Sequence, residues 1–241
     1  MSDAYDPLFV DDPMATYIND EALARLAETN DTRFASSDGI VKIDHERWQR
    51  AQAYERKTWM QVTKGWTDAR NYEFAFGFDA YYALPRELGS VIEFGAGPFT
   101  NARLILERHE ADSLTLLDPL IADYITLDTC PYAGGVLCGV PVTVIASTIE
   151  DWEPEEFDTV IMINTLHHCQ DAPLVLKRIE AAVNPGGLLV FYEPPRDIDP
   201  ARIYDVGHPL SPRAAFIERF LGKFKEVYRN GWYFVGRKTD E

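Results

Sequence analysis

The sequence predicts an α/β fold: a mostly parallel seven-stranded sheet with helices on both faces, a C-terminal antiparallel hairpin, and an N-terminal helical extension serving as a lid. Three observations carry this. Between positions 91 and 192 five short apolar, β-branched runs recur. They read as continuous rather than alternating hydrophobics, as strands buried on both faces of a parallel sheet do. The intervals between them leave room for crossover helices, as repeated βαβ units require. Finally, Asn230-Gly231 joins two further apolar runs, and Asn-Gly is the strongest short hairpin signal.

The elements follow in order. Residues 1–87 form the extension, with helical stretches at Asp20 to Glu28 and Asp44 to Lys64 and an aromatic-rich segment ending at Pro85; the boundary falls near Leu88, and residues 88–241 form the main domain. The five strands are Val91 to Phe94, Leu114 to Leu117, Val142 to Ala146, Thr159 to Ile163 and Leu188 to Tyr192. A helix is expected from Thr100 to Arg108 and another from Ala172 to Val183, where Leu176, Ile179 and Val183 recur at helical spacing. Asn184, Pro185, Gly186 and Gly187 should stop the second helix. After the fifth strand comes the proline-rich loop Glu193 to Pro200, then a helix from Ser211 to Leu221 and late strands at Phe224 to Arg229 and Trp232 to Arg237.

Bulk properties exclude several classes. The 241 residues carry a formal net charge of −16, from 39 acidic and 23 basic residues. That charge repels a phosphate backbone, so nucleic acid is a poor substrate. The N-terminus lacks the basic flank and apolar stretch of a secretory signal, and no run is long enough to span a bilayer, so a cytoplasmic protein is expected. Three cysteines, Cys130, Cys138 and Cys169, include no C-x-x-C pair; reduced structural thiols are the plain reading.

Chemistry enters at the first strand. It runs into Gly95, Ala96 and Gly97 and then into a helix, so the backbone approaches a ligand closely while helix-start amides face it. That describes a nucleotide-cofactor turn, although G-x-G alone also fits an ordinary strand-to-helix turn. Asp118 ends the second strand, 23 residues after Gly95, where a carboxylate takes both ribose hydroxyls. It is also placed to cap a helix that has Pro119 at its first position. Dinucleotide-binding proteins share this logic, but their third glycine is replaced here by Thr100.

Glu93-Phe94-Gly95-Ala96-Gly97 resembles the first motif of class I S-adenosylmethionine-dependent methyltransferases. Residues 157–171, FDTVIMINTLHHCQD, and 181–187, AAVNPGG, resemble that family's fourth and fifth strand signatures. The likeness covers roughly residues 88–193. It implies a Rossmann-like sheet, S-adenosylmethionine as cofactor and S-adenosylhomocysteine as product. It further implies that Glu93 meets the cofactor's amino group, that Thr148 and Ile149 flank the adenine, and that Asn164 lies beneath the methionine part. The family's aspartate after the third strand is absent, leaving Ser147 or Glu150 to meet the adenine amino group. Asp158, which begins a strand, reads as structural.

Methyl transfer is an in-line displacement, so the protein mainly aligns the nucleophile and keeps water out. A base is needed only for a protonated acceptor. His167 and His168 follow the fourth strand at the carboxyl edge of the sheet, where open α/β folds bind ligands, and are the candidate bases, the alternative for one of them being packing or capping. His208, after the fifth strand, is the third candidate. His167, His168 and Cys169 on one short segment supply no tetrahedral site, so no metal is expected. Arg47, Arg50, Tyr54 and Lys57 form a basic helical face, read either as a solvated face whose charges pair with acidic neighbours or as a docking face for an anionic acceptor. Trp66 belongs to an aromatic set serving as lid core or substrate platform.

The expected function is therefore methylation of a small molecule in biosynthesis, at a hydroxyl of a sugar or anionic metabolite. A homodimer is left open. An NAD-dependent oxidoreductase is the alternative enzyme, disfavoured by Thr100 and by the lack of an evident Tyr-x-x-x-Lys pair; a non-catalytic cofactor-binding partner protein is the third reading.

Overall fold

The computed structural model of the chain describes residues 38–62, 83–195 and 207–239. The expected helix at Asp20 to Glu28, Trp66 and most of the aromatic segment lie outside them. Among the described residues the elements are β1 (Gly39–Ile40), α1 (His45–Val62), β2 (Ser90–Phe94), α2 (Ala102–Leu106), β3 (Ser113–Leu117), α3 (Ile121–Tyr124), β4 (Val136–Leu137), β5 (Val140–Ile145) and β6 (Phe157–Ile163). They continue with α4 (Ala172–Ala182), β7 (Val183–Tyr192), β8 (Ser211–Pro212), α5 (Ala214–Leu221), β9 (Phe224–Asn230) and β10 (Tyr233–Lys238).

The central sheet has the order β4-β5-β3-β2-β6-β7-β10-β9. Strands β5, β3, β2, β6 and β7 run parallel, while β4 and the β9–β10 hairpin are antiparallel. Both faces are covered. Ile92, Phe94, Val160, Met162, Leu189 and Phe191 pack with α4 and α5 on one side, and Val91, Ile161, Ile163 and Val190 pack with α2 on the other. This double burial is why the strands read as unbroken apolar runs. Asp171 starts α4 by accepting the Leu174 amide at 3.1 Å, with Pro173 in the first turn, where its missing N–H costs nothing.

Four details differ from the sequence reading. Among the described residues the sheet has eight strands, because the two-residue β4 folds back on β5 through Gly139 at φ +85; so short a strand carries no periodicity. No helix connects β5 to β6. Residues 146–156 instead cross in turns that bury Ile149 and Trp152 against Phe94 and Phe157. The Asn-Pro-Gly-Gly run lies inside β7, which begins at Val183, directly after α4. Ser211 and Pro212 form β8, so α5 starts only at Ala214.

Strand β1 pairs antiparallel with β8, Gly39 opposite Pro212 and Ile40 opposite Ser211. Ile40 and Ile43 join the same buried cluster as Ile92 and Phe94. These ties hold α1 across the carboxyl end of the sheet. No described helix is long and apolar enough to cross a membrane.

Candidate functional site

Strand β2 lies between β3 and β6, so the chain leaves it toward one side and returns on the other. At such a switch point the loops diverge and open a crevice at the strands' carboxyl ends, where ligands bind in open α/β sheets. A cavity of about 300 Å³ lies there. Its floor is the turn Gly95 to Phe99, one wall is Asp118 to Leu120, and Thr148 to Glu150 lie beside them. Asn164, Thr165, His168, Cys169 and His208 line the other wall, and α1 supplies the roof.

The glycine turn is anchored from several directions. Gly95 and Ala96 donate to the Leu117 carbonyl at 2.8 and 3.4 Å, Gly97 donates to Asp118 Oδ2 at 3.1 Å, and the Tyr132 hydroxyl donates to the Gly97 carbonyl at 2.6 Å. Gly95 has φ +68, and a Cβ there would fall 2.1 Å from Thr165 Cγ2, so glycine is required by contact. Gly97 has φ +58, and a Cβ there would meet nothing within 4 Å. It borders open cavity, the space a closely approaching ligand fills.

Asp118 directly follows β3, with 8% exposure. Its Oδ1 accepts from Leu120 at 2.8 Å and its Oδ2 from Gly97. Burial pushes the carboxyl up to about 6, against the lowering by these two amides. Asn164 lines the cavity at φ +55, a left-handed conformation that asparagine tolerates better than most residues.

Glu93 is placed differently from the expectation. It is fully buried and does not line the cavity. Its carboxyl accepts from the Thr100 hydroxyl, from the Asn101 amide at 2.9 Å and side chain at 3.2 Å, and from the Ala102 amide at 3.0 Å. Burial pushes it up to about 7 despite these donors. Glu93 therefore builds the turn from behind, and Thr100 explains why: its φ of +49 costs roughly 1–3 kcal/mol in a β-branched residue. The buried bonds to Glu93 offset that strain.

Beyond the glycine turn, Asp118, Pro119, Thr148, Ile149 and Asn164 all reach the cavity. Ser147 is not among the lining residues; its hydroxyl bonds the Thr148 carbonyl at 3.0 Å. Glu150 does line it, with Oε1 accepting the Gln170 and Asp171 amides at 2.8 and 3.0 Å. Asp158 sits at the far end of β6, bound to Ser90 and Asn184, which hold it below the usual carboxylate range.

On α1, Trp48, Gln52, Glu55 and Trp59 form the stripe facing the sheet. Tyr54 also reaches the cavity, but Arg47 and Arg50 do not. Arg50 instead pairs with Glu46 at 3.3 Å, and the Arg47 amide bonds the capping Asp44 carboxylate at 2.8 Å. No Lys or Arg is among the described lining residues, so the basic face expected to dock an anion turns elsewhere.

The three candidate histidines come together. The ring centroids of His167 and His168 are 4.2 Å apart, and each lies 4.7 Å from that of His208. His168 and His208 line the cavity, while His167 is sealed behind them with Nδ1 2.5 Å from Glu193 Oε1. The other Glu193 oxygen accepts the Leu166 amide at 2.9 Å. Glu193 was missed in the sequence; its signal is an acid at the end of the fifth strand. The expectation of no metal rested on the lack of a ligand beyond one short segment. His208 supplies it, and one ligand atom from each ring lies within 4.8 Å of the others. Cys169, buried, donates to the Thr165 carbonyl at 3.5 Å, and burial raises its thiol well above the usual range, which leaves it inert.

A family model described as a methyltransferase domain matches residues 43–228. No curated protein sequence matches. Among solved structures, the N-methyltransferase NodS from Bradyrhizobium japonicum WM9, in complex with S-adenosylhomocysteine, is 15% identical with a TM-score of 0.55, covering 80% of this chain and 98% of that one. A DhpI–SAM–HEP complex is 18% identical with a TM-score of 0.56, covering 82% and 100%. An O-methyltransferase family protein from Burkholderia thailandensis is 18% identical with a TM-score of 0.54, covering 95% and 71%. At these identities the likeness concerns the fold.

Proposed function

The chain belongs to the methyltransferase-domain family, and from that premise we propose that it uses S-adenosylmethionine to methylate a hydroxyl of a small molecule. The observation that carries the reading is that one cavity joins the glycine turn and Asp118 to the roof of α1 and the histidines. One end fits a nucleoside, the other an acceptor.

When bound, S-adenosylmethionine supplies an electrophilic methyl group on a sulfonium. The chain's residues do the rest. Gly97 leaves the backbone open to close approach, Asp118 accepts the ribose hydroxyls, Thr148 and Ile149 flank the adenine, and Glu150 is the acid nearest to meet its amino group. Asn164 lies at the junction with the acceptor side. Helix α1 excludes water through Trp48 and Trp59, which strengthens every polar interaction inside. His168 and His208 line the acceptor end of the cavity, where either imidazole would accept the hydroxyl proton as the oxygen takes the methyl group.

The lining acids Glu55, Asp118 and Glu150, without a described Lys or Arg, favour a neutral, sugar-like acceptor over an anionic one. Incubating the enzyme with a deuterated methyl donor and fractionated small metabolites tests this. Label in neutral hydroxyl compounds is expected; label confined to anions, amines or nucleic acid would overturn the acceptor class.

A further inference from the structure

We propose that His167, His168 and His208 form a binding site for a divalent first-row transition cation, zinc foremost, whose open position faces the cavity. The cation site stands on the geometry of these residues alone. Its use, coordinating the acceptor's oxygen, rests on the function proposed above.

Three imidazoles from two segments, the single 3-10 turn Leu166–His168 after β6 and the loop before β8, present one ligand atom each within a 4.8 Å spread. The two segments are fastened together: the Leu210 amide donates to the His167 carbonyl at 3.1 Å, and Gln52 of α1 donates to the His168 carbonyl at 3.2 Å.

The Gly207 carbonyl can only accept, so at 2.8 Å it requires the proton of His168 on Nδ1. The Glu193 carboxylate does the same for His167 at 2.5 Å. Each bond leaves Nε2 as the lone-pair nitrogen. A backbone carbonyl on one ligand and a buried carboxylate on another are the outer partners that orient metal-bound imidazoles and raise their basicity.

Three neutral imidazoles with no carboxylate among the ligands suit zinc and its neighbours rather than magnesium or calcium. With three protein ligands, the fourth position is left for a water or substrate oxygen. Metal–nitrogen bonds of about 2.0–2.1 Å draw the rings closer than they stand here. His208, partly buried, is the ring whose movement closes the distance, since His168 is held by the Gly207 carbonyl and His167 is fully buried against Glu193. With the cation bound, the imidazole lone pairs are on the metal and the histidines act through it in place of serving as bases: a hydroxyl held at the open position becomes more acidic and releases its proton to solvent.

The test strips the full-length protein with a chelator and titrates Co²⁺, followed by visible absorption, with Zn²⁺ as competitor. One equivalent should bind with the intense bands of a four-coordinate nitrogen-rich site, and Zn²⁺ should displace it. His208→Ala should abolish the signal, and Glu193→Gln should weaken binding about 10–100-fold. Circular dichroism melts establish that each variant is folded; should Glu193→Gln not fold, His208→Ala decides alone, being partly exposed. No saturable Co²⁺ or Zn²⁺ binding, or binding unchanged in His208→Ala, overturns the site. S-adenosylhomocysteine binding to the stripped protein, measured separately, separates a failed cation site from a failed cofactor reading.

Discussion

The amide of Gly97 donates to Oδ2 of Asp118 at 3.1 Å, so the carboxylate closing β3 is built into the turn that follows β2. Burial holds this carboxyl up at about 6, and hydroxyl donors need it ionised. S-adenosylhomocysteine affinity should therefore fall as pH drops below about 6, and Asp118→Asn should bind weakly with little pH dependence. The linkage for the ligand-free protein has the opposite sense. A carboxyl raised from 3.8 to about 6 contributes stability present below the lower value and lost as pH rises through the upper one. Calorimetric titrations and thermal melts between pH 4.5 and 8, as a test range of about that width, check both.

Gly95 and Gly97 should respond differently to alanine. Gly95→Ala drives a Cβ into Thr165 and should destabilise by several kcal/mol, about 3 or more. Gly97→Ala adds only left-handed strain of about 1–2 kcal/mol, yet its methyl enters the cavity. It should lose cofactor affinity at least tenfold while melting only slightly early. Equal loss of stability in both would contradict this division.

Glu93 should behave as a structural residue. Glu93→Ala strands the buried Asn101 amide, leaves the Ala102 amide only its 3.2 Å bond to the Thr100 hydroxyl, and leaves the φ of Thr100 unsupported, at about 1–3 kcal/mol for the orphaned donor. A denaturant series should show the loss. A variant of full stability with abolished cofactor binding would return Glu93 to ligand contact.

His167 and His168 should separate in the same way. His167→Ala leaves the Glu193 carboxylate buried beside the space it vacates and should cost about 3–5 kcal/mol. His168→Ala should lower turnover far more than cofactor affinity. Unchanged turnover in His168→Ala would remove the cluster from the reaction.

Much of this was legible in the sequence because burial on both faces writes itself as continuous apolar runs. The five parallel strands and the late hairpin follow from that. So does the glycine turn, since Gly95, Gly97 and Asp118 sit at fixed offsets along the chain. The rest depends on relations that spacing does not encode. Helical periodicity placed Arg47 and Arg50 on one face of α1 but not which face meets the sheet; Trp48, Gln52, Glu55 and Trp59 take that side. Thr100 could be read as a missing glycine, but not as the partner of Glu93. His208 lies 40 residues beyond His168, and only the packing of α1 and β8 brings the rings together. The run of residues 146–156 has helical length, yet Ile149 and Trp152 reach the core from turns.

The central claim is that the glycine turn and Asp118 hold a methyl donor. Isothermal titration of the purified chain with S-adenosylmethionine tests it most directly, with Asp118→Ala and with NADH as the competing ligand. The account predicts one saturable site for the methyl donor, severely weakened in Asp118→Ala, and no binding of NADH. Tight NADH binding without binding of the methyl donor would contradict it.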